Sequence, residues 1–475
     1  MKHLSSLFMG LQEHSILRAV LRKYFGSSAL ALMVVPALLL CGHIALAAGG
    51  KSDRGAVRLL KTVPIPGTTA NTTNGKLYSF DISFVDQSTQ TYYLADRSNV
   101  AVDLADAKTA TFIGQISVSP PFAGVVPTVA CTAAGGSNCS GPNGVVVAFP
   151  WLFVTDGGSR VVNIDLRTGL IAPGGDVVTA ANDPNRADEL AYAPELGLLL
   201  VINNADAIPF GTFISVDHTT GALTVGTRIT FTAATNGAEQ PVWDPGTRRF
   251  YLSIPEINGN QTNQHGAVLR ISTTGEVEAT YPVDFCGPAG LALGPNGDLL
   301  VGCNSVFDTA GGRWTGNADR DTNTAAPQYV ILNAKTGNIN NVLGVGAGDE
   351  VWFNKGDGHY YTASSGSPLA PNAITPARPP VGTATTAPVL TAQGAAILGV
   401  IDAFSKTLDQ LVPTFNVPAV GTGNNSTEHP AATAHSVAAN AKNNLVFVPL
   451  GANNVFPDCL TGCIAVYGRS DNDKD

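Results

Sequence analysis

The sequence predicts an all-β fold: a ring of seven four-stranded sheets, a seven-bladed β-propeller whose last blade is closed by a strand from the N-terminus. Three observations predict it. The 475 residues include only 13% charged side chains but 51 glycines and 30 prolines, a composition suited to short strands and tight turns rather than long helices. A hairpin pattern recurs seven times, and its closest spacing approaches one four-stranded unit. The seventh copy lacks a fourth strand, while a strand-like segment with no partner, residues 56–65 (AVRLLKTVPI), precedes the first copy.

The clearest copy is 188–204, DELAYAPELGLLLVINN. Apolar Leu190 and Tyr192, a reversal over 194–197 and the apolar run 198–202 read as two antiparallel strands joined by a tight turn. A third strand ending in an aspartate (TFISVDHTTG, from Thr212) and a fourth (LTVGTRITF, from Leu223) complete the unit. Related hairpins start at Asp81, Asn143, Glu239, Ala289, Asp349 and His435. Third strands recur at Val100, Val161, Phe213, Val268, Tyr329, Ile397 and Cys463. Pairing 56–65 with the last unit would latch the ring and remove an open sheet edge.

The motif of an apolar pair, a turn, an apolar run and then V-x-D-x-x-T-G is best kept in VVNIDLRTG and FISVDHTTG. On these segments the chain, from about 56 to 469, resembles the YVTN-type repeat propellers, exported bacterial proteins with lactonase-like seven-bladed folds. The tetrapeptide itself is replaced by LVIN and FYLS. The resemblance implies the fold and, more remotely, a lactonase-like hydrolase activity.

Residues 1–48 read as a targeting segment. Arg18, Arg22 and Lys23 precede an apolar run from about Ala29 to Ala47 that ends in small residues; a membrane anchor is the rival reading. A propeller over 49–469 and a polar tail over 470–475 follow. Without the four basic residues and Glu13 of the leader, the remainder carries 23 basic against 35 acidic residues, a net charge of −12. That balance excludes nucleic acid as an expected partner. The expectation is a periplasmic or extracellular monomer with no stable membrane insertion after cleavage. The six cysteines beyond the leader pair by adjacency as Cys131 with Cys139, Cys286 with Cys303 and Cys459 with Cys463, one of 15 pairings open to six cysteines. Their spacing fits no zinc template.

Strand alternation puts every long insertion on one face: 117–142, 255–265, 304–328, 364–393 and 418–434. Such loops carry function more often than the scaffold beneath. The proline-rich 364–393 reads as a solvated loop or a lid. Aligning the first strands brings Asp81, Asn143, Asp188, Glu239, Ala289, Asp349 and His435 to the channel mouth on that face. The next column adds Glu189, Gln240 and Glu350. Four carboxylates in the first column repel one another in a narrow channel. Three readings stand: hydrogen-bonding groups that fix blade to blade, a calcium ion held by Asp81, Asn143, Asp188, Glu239 and Asp349, or direct acid–base chemistry.

His435, with His429 nearby, is the candidate general base. Asn203, Asn204, Glu256 and Asn304 end second strands on the same face and would complete a ligand site with Glu189, Gln240 and Glu350. The chain has no nucleophile elbow, phosphate-binding loop, HExxH or dinucleotide fingerprint, which excludes nucleotide-dependent and serine-hydrolase chemistry. The sequence supports binding of a small molecule or protein partner on the acidic face. The alternative is a calcium-assisted lactonase, similar in its axial oxygen ligands to the six-bladed gluconolactonase and paraoxonase propellers.

Overall fold

The computed structural model describes residues 55–469 apart from 72, 128–129, 132–135, 260–264, 307–327, 344, 346–347, 365–396, 414–434, 454–455 and 457. The expected leader, the polar tail, His429 and most of the insertions 304–328, 364–393 and 418–434 lie outside the described residues.

Seven four-stranded antiparallel sheets form a seven-bladed β-propeller. Blade 1 contains β2 (Ser83–Asp86), β3 (Thr91–Asp96), β4 (Ala101–Asp106) and β5 (Thr111–Ile116), and blade 2 contains β6 (Val145–Ala148), β7 (Trp151–Asp156), β8 (Arg160–Asp165) and β9 (Leu170–Val178). Blade 3 is β10 (Leu190–Ala193) to β13 (Leu223–Thr230), through β11 (Leu198–Asn203) and β12 (Phe210–Val216). Blade 4 is β14 (Pro241–Asp244), β15 (Arg249–Ile254), β16 (His265–Ile271) and β17 (Val277–Asp284). Blade 5 comprises β18 (Cys286–Leu293), β19 (Asp298–Val306), β20 (Gln328–Asn333) and β21 (Ile339–Leu343). Blade 6 comprises β22 (Gly348–Asn354), β23 (His359–Ser364), β24 (Ile397–Asp402) and β25 (Thr407–Pro413). Blade 7 joins β26 (Ala438–Asn440), β27 (Leu445–Leu450) and β28 (Cys463–Arg469) to β1 (Val57–Pro64), which pairs antiparallel with β28 from Val57 opposite Arg469 to Pro64 opposite Cys463.

The expected closure is therefore present, and neighbouring blades grip it. The Gln410 amide on β25 accepts from Val57 N and donates to Val57 O, both at 2.8 Å. On the other side, Lys61 Nζ donates to Thr109 O of blade 1 at 3.1 Å.

Alternating side chains of the inner strands fill the spaces between blades. One apolar cluster occupies each of the seven interfaces. Between blades 3 and 4, for example, Leu200, Ile202, Phe213, Phe250 and Leu252 pack with Trp243, and between blades 7 and 1, Tyr92, Leu94, Phe447 and Ile464 pack with Leu77. Each large side chain buried this way contributes about 1.5–3 kcal/mol, so ring stability resides in interfaces rather than within single sheets.

The V-x-D-x-x-T-G motif is explained by its turn. Asp217 Oδ1 accepts from the backbone N–H groups of Thr219 and Thr220, both at 2.8 Å, and Gly221 follows with φ of 75°, a conformation that favours glycine. Asp165 and Gly169 repeat the arrangement in blade 2. The three disulfides join the expected pairs: Cys131–Cys139, Cys286–Cys303 and Cys459–Cys463. Such bonds point to an oxidising compartment. Among the described residues no helix is long and apolar enough to cross a membrane.

Deleting residues 55–65 leaves the β28 edge unpaired and exposes Val466 and Ile464 at the blade 7 interface. The expected result is a melting temperature lowered by more than about 10 °C, with aggregation on heating; a thermal melt of the deletion variant equal to that of the full chain would contradict closure by β1.

Candidate functional site

The geometry of the ring brings the first column to one place. The column residues lie two or three positions before their inner strands, or within the first residues of β18 and β22 for Ala289 and Asp349, and backbone bonds run from blade to blade at this level. Ile82 N donates to Asn143 O at 3.2 Å, Gly144 N to Asp188 O at 3.1 Å, and Glu350 N to His435 O at 3.3 Å. Main-chain carbonyls of the column thus link neighbouring blades, leaving most of the carboxylates for other partners. Blade 5 contributes no polar group to the first column. Its Gly290 makes room there, because a Cβ at that position would lie 2.0 Å from Asp349 O.

The carboxylates meet cations that the columns do not contain. Arg97, just past β3, forms a buried ion pair with Asp81 and donates Nε–H to Asn143 Oδ1 at 2.9 Å. Asn143 is oriented for this by its own NH₂ group, which donates to Ser140 O and Ala187 O at 3.0 and 2.8 Å. Arg186 pairs with Asp188 at 2.7 Å and reaches Asp81 at 3.9 Å. The cysteine loop holds Arg186 in place. Its backbone N–H donates to Asn138 O at 2.7 Å, and its guanidinium donates to Ser137 O at 3.4 Å and to Asn204 Oδ1 at 3.3 Å.

His435 bridges the mouth, with Nε2 at 2.8 Å from Asp81 Oδ1 and Nδ1 at 3.3 Å from Asp349 Oδ2. Asn304 Nδ2 stands 3.5 Å from the same Asp349 oxygen. With both ring nitrogens facing carboxylates, the imidazolium is favoured. Burial alone would lower the His435 pKa, but Asp349 and Asp81 outweigh it and raise it to about 9. The expected neutral general base is thus a bound cation at neutral pH.

The carboxyl groups separate by environment. Burial would raise Asp81, yet Arg97, His435 and Arg186 together hold it well below the usual range. Burial outweighs Arg186 at Asp188, raised to about 6, and burial with the charges of Asp188 and Asp349 raises Glu239 to about 8. Burial also raises Asp349 against the opposing pull of His435. Deeper in the channel, Glu189 and Glu350 are pushed well above their ordinary values, first by burial and next by Glu350 for the former and Asp349 for the latter.

The expected electronegative pore is instead close to charge balance. Arg97, Arg186 and His435 face Asp81, Asp188 and Asp349, while burial pushes the carboxyls of Glu189 and Glu350 well above their ordinary values and Glu239 to about 8. This donor set does not fit calcium: guanidinium groups occupy Asp81 and Asp188. Among the described residues no group of three or more His, Cys, Asp and Glu side chains converges as metal ligands do.

Of the other expected ligand residues, Gln240 joins the deep level, donating Nε2–H to Glu350 Oε2 at 2.7 Å, and Asn204 and Asn304 join the mouth. Asn203 serves the scaffold between blades, bonding Thr179 Oγ1 and Ser159 Oγ at 2.8 Å. Glu256 lies apart, its carboxylate accepting from Thr235 Oγ1 at 2.7 Å on an exposed loop. Arg97 and Arg186 were missed because alignment of first strands reads only columns. The available signal was an arginine two residues before Asp188 and another directly after the Asp96 that ends β3.

Below the carboxyls lies an axial cavity of about 350 Å³, lined by the inner strands of all seven blades from Ile82 to Val437. Its upper end holds Glu189, Gln240 and Glu350; Val242, Leu293, Trp243 and Trp352 belong to its walls.

No family model and no curated protein matches the chain. Similar solved structures do exist. The structure resembles Kuenenia stuttgartiensis hydrazine synthase with a TM-score of 0.53 and 12% identity, covering 85% of this chain and 97% of that one. A structure of the mitotic checkpoint complex aligns with a TM-score of 0.49 and 10% identity over 94% of this chain and 99% of that one. At such identities the likeness is one of fold.

Arg97→Leu leaves a buried carboxylate short of its main partner. The expected cost is about 3–5 kcal/mol in urea unfolding; a loss below about 1 kcal/mol would mean that Asp81 is held by His435 and Arg186 alone. Stability also depends on pH. Groups with raised folded pKa values bind more protons when folded, so their contribution is complete below the unfolded pKa and is lost as pH rises through the folded value. For Glu239 that window runs from 4.5 to about 8, and for His435 from 6.5 to about 9. The melting temperature is therefore expected to fall between pH 5 and pH 9, less steeply in Glu239→Gln; the opposite slope would contradict the assigned proton occupancy.

Proposed function

We propose that this is an exported binding propeller of the YVTN type, and that the channel mouth with the cavity beneath it is its ligand site. The observation that carries the reading is the convergence of column side chains from six blades at the channel mouth, next to an axial cavity that keeps space for a small molecule. A volume of about 350 Å³ falls at the lower end of the range typical of ligand pockets, about 300–1,000 Å³. The walls combine apolar surface with a few placed polar groups, as such pockets do. The three disulfides favour a periplasmic or extracellular setting, and the cysteine loop fixing Arg186 ties that setting to the site.

A lactonase-like hydrolase has less support. Its general base would be His435, which is held as an imidazolium between Asp81 and Asp349, and its cation would have to displace two arginines. Binding therefore stands ahead of hydrolysis.

The test is a thermal-shift screen of small molecules on the wild-type protein and on Val146→Trp, which adds bulk at a half-exposed position of the cavity wall. Ligands that raise the wild-type melting temperature by mass action are expected to leave the variant unchanged. Shifts of equal size in both proteins would place binding outside the channel and end the reading. A lactone panel run in parallel is expected to show no hydrolysis that disappears in His435→Gln.

A further inference from the structure

The deep level of the channel contains an unmet demand. Glu189 and Glu350 are 4% and 3% exposed, and among the described residues no hydrogen-bond donor reaches Glu189 Oε2 or Glu350 Oε1. Both residues line the axial cavity. Buried carboxyl oxygens left without partners are costly, and native proteins rarely keep them unless a ligand, ion or water answers them.

Apart from the two carboxyls themselves, which lie close enough to share a hydrogen bond, the neighbouring groups do not answer them. Gln240 donates one amide N–H to Glu350 Oε2 and accepts from Leu291 N. Arg97 is committed to Asp81 and Asn143, Arg186 to Asp188 and Asn204, and His435 to Asp81 and Asp349. What this level lacks is positive charge. An anionic ligand would meet acceptor oxygens there, with the nearby cations already engaged.

The remainder of the cavity sets the rest of the ligand. Val242, Leu293, Trp243 and Trp352 belong to its walls, and indole faces favour both apolar chains and cations. We infer that the axial cavity takes an organic monocation, a protonated amine whose ammonium sits between Glu189 and Glu350 and whose apolar part lies along the channel walls. This rests on the channel being the ligand site and specifies the class of molecule that enters it. The ammonium has three donors, enough to reach both orphan oxygens. It would take over the role of protons that the pair holds in its absence.

Calorimetric titration of the purified protein at pH 7 with n-hexylammonium, n-hexanol and n-hexanoate tests the inference, using wild type, Glu189→Gln/Glu350→Gln and Val146→Trp. The expected result is hexylammonium binding at least tenfold tighter than either other probe, weakened at least tenfold by the double substitution and abolished by Val146→Trp. If the double variant does not fold by circular dichroism, Glu350→Gln alone carries the comparison. Hexanol or hexanoate binding as tightly as the amine, with binding lost in Val146→Trp, would overturn the monocation and leave the channel as the site. Amine binding that survives Val146→Trp would overturn both. Failure of all three probes to bind wild type would overturn the monocation alone, since the broader screen judges the channel separately.

Discussion

The pairing of β1 with β28 is the constraint on which the rest depends. Without it the seven sheets are an open arc, and no axis exists for the first strands to share. With it, each inner strand is held at the same radius, and whichever residue opens that strand is delivered to the mouth of the channel whatever its charge. Arg469 Nη1 donating to Gly55 O at 3.0 Å, across 414 residues of chain, shows how much sequence that single edge gathers into one ring.

Convergence creates an electrostatic problem, and the protein solves it with its own side chains. Six carboxyl groups packed around an axis cannot all ionise in a partly dehydrated space. Two arginines and a histidine pair with the three aspartates, and burial pushes the three glutamate carboxyls upward. The arrangement assigns labour by depth. The mouth, with Asp349, His435 and Arg186 partly exposed, is a mixed-charge collar, while the level beneath holds carboxyls whose charge burial disfavours and opens to the cavity. Arg186 is central because it is fixed from two directions, by the cysteine loop of blade 2 and by Asn204 of blade 3.

Much of the fold was legible because a propeller repeats its requirements. Most blade turns use an aspartate, an asparagine or, at Ser272, a serine to accept backbone N–H groups together with a residue at positive φ, and the inner strands alternate apolar residues; both leave marks such as DHTTG at 217–221. The motif that carries the family resemblance is thus a turn signal, which explains why it located the blades and says little about chemistry. The site was legible by column, so Asp81, Asp188, Glu239, Asp349 and His435 were found together. It was illegible by charge. Arg97 and Arg186 occupy non-repeating positions, and only their long side chains bring them to the axis. For the same reason Glu256 and Asn203 were grouped with the site: both end second strands, yet one turns to a surface threonine and the other to the seam between blades.

The latch has a temporal side. Val57 leaves the ribosome long before Arg469, so the outer edge of the seventh blade waits for about 400 further residues to be made before its partner can dock. Until then the nascent protein is a string of hairpins with bare ends, and contacts of such long range form slowly. A chain built in this way needs safekeeping while it is being made, because its final shape is reached only when the two distant edges meet.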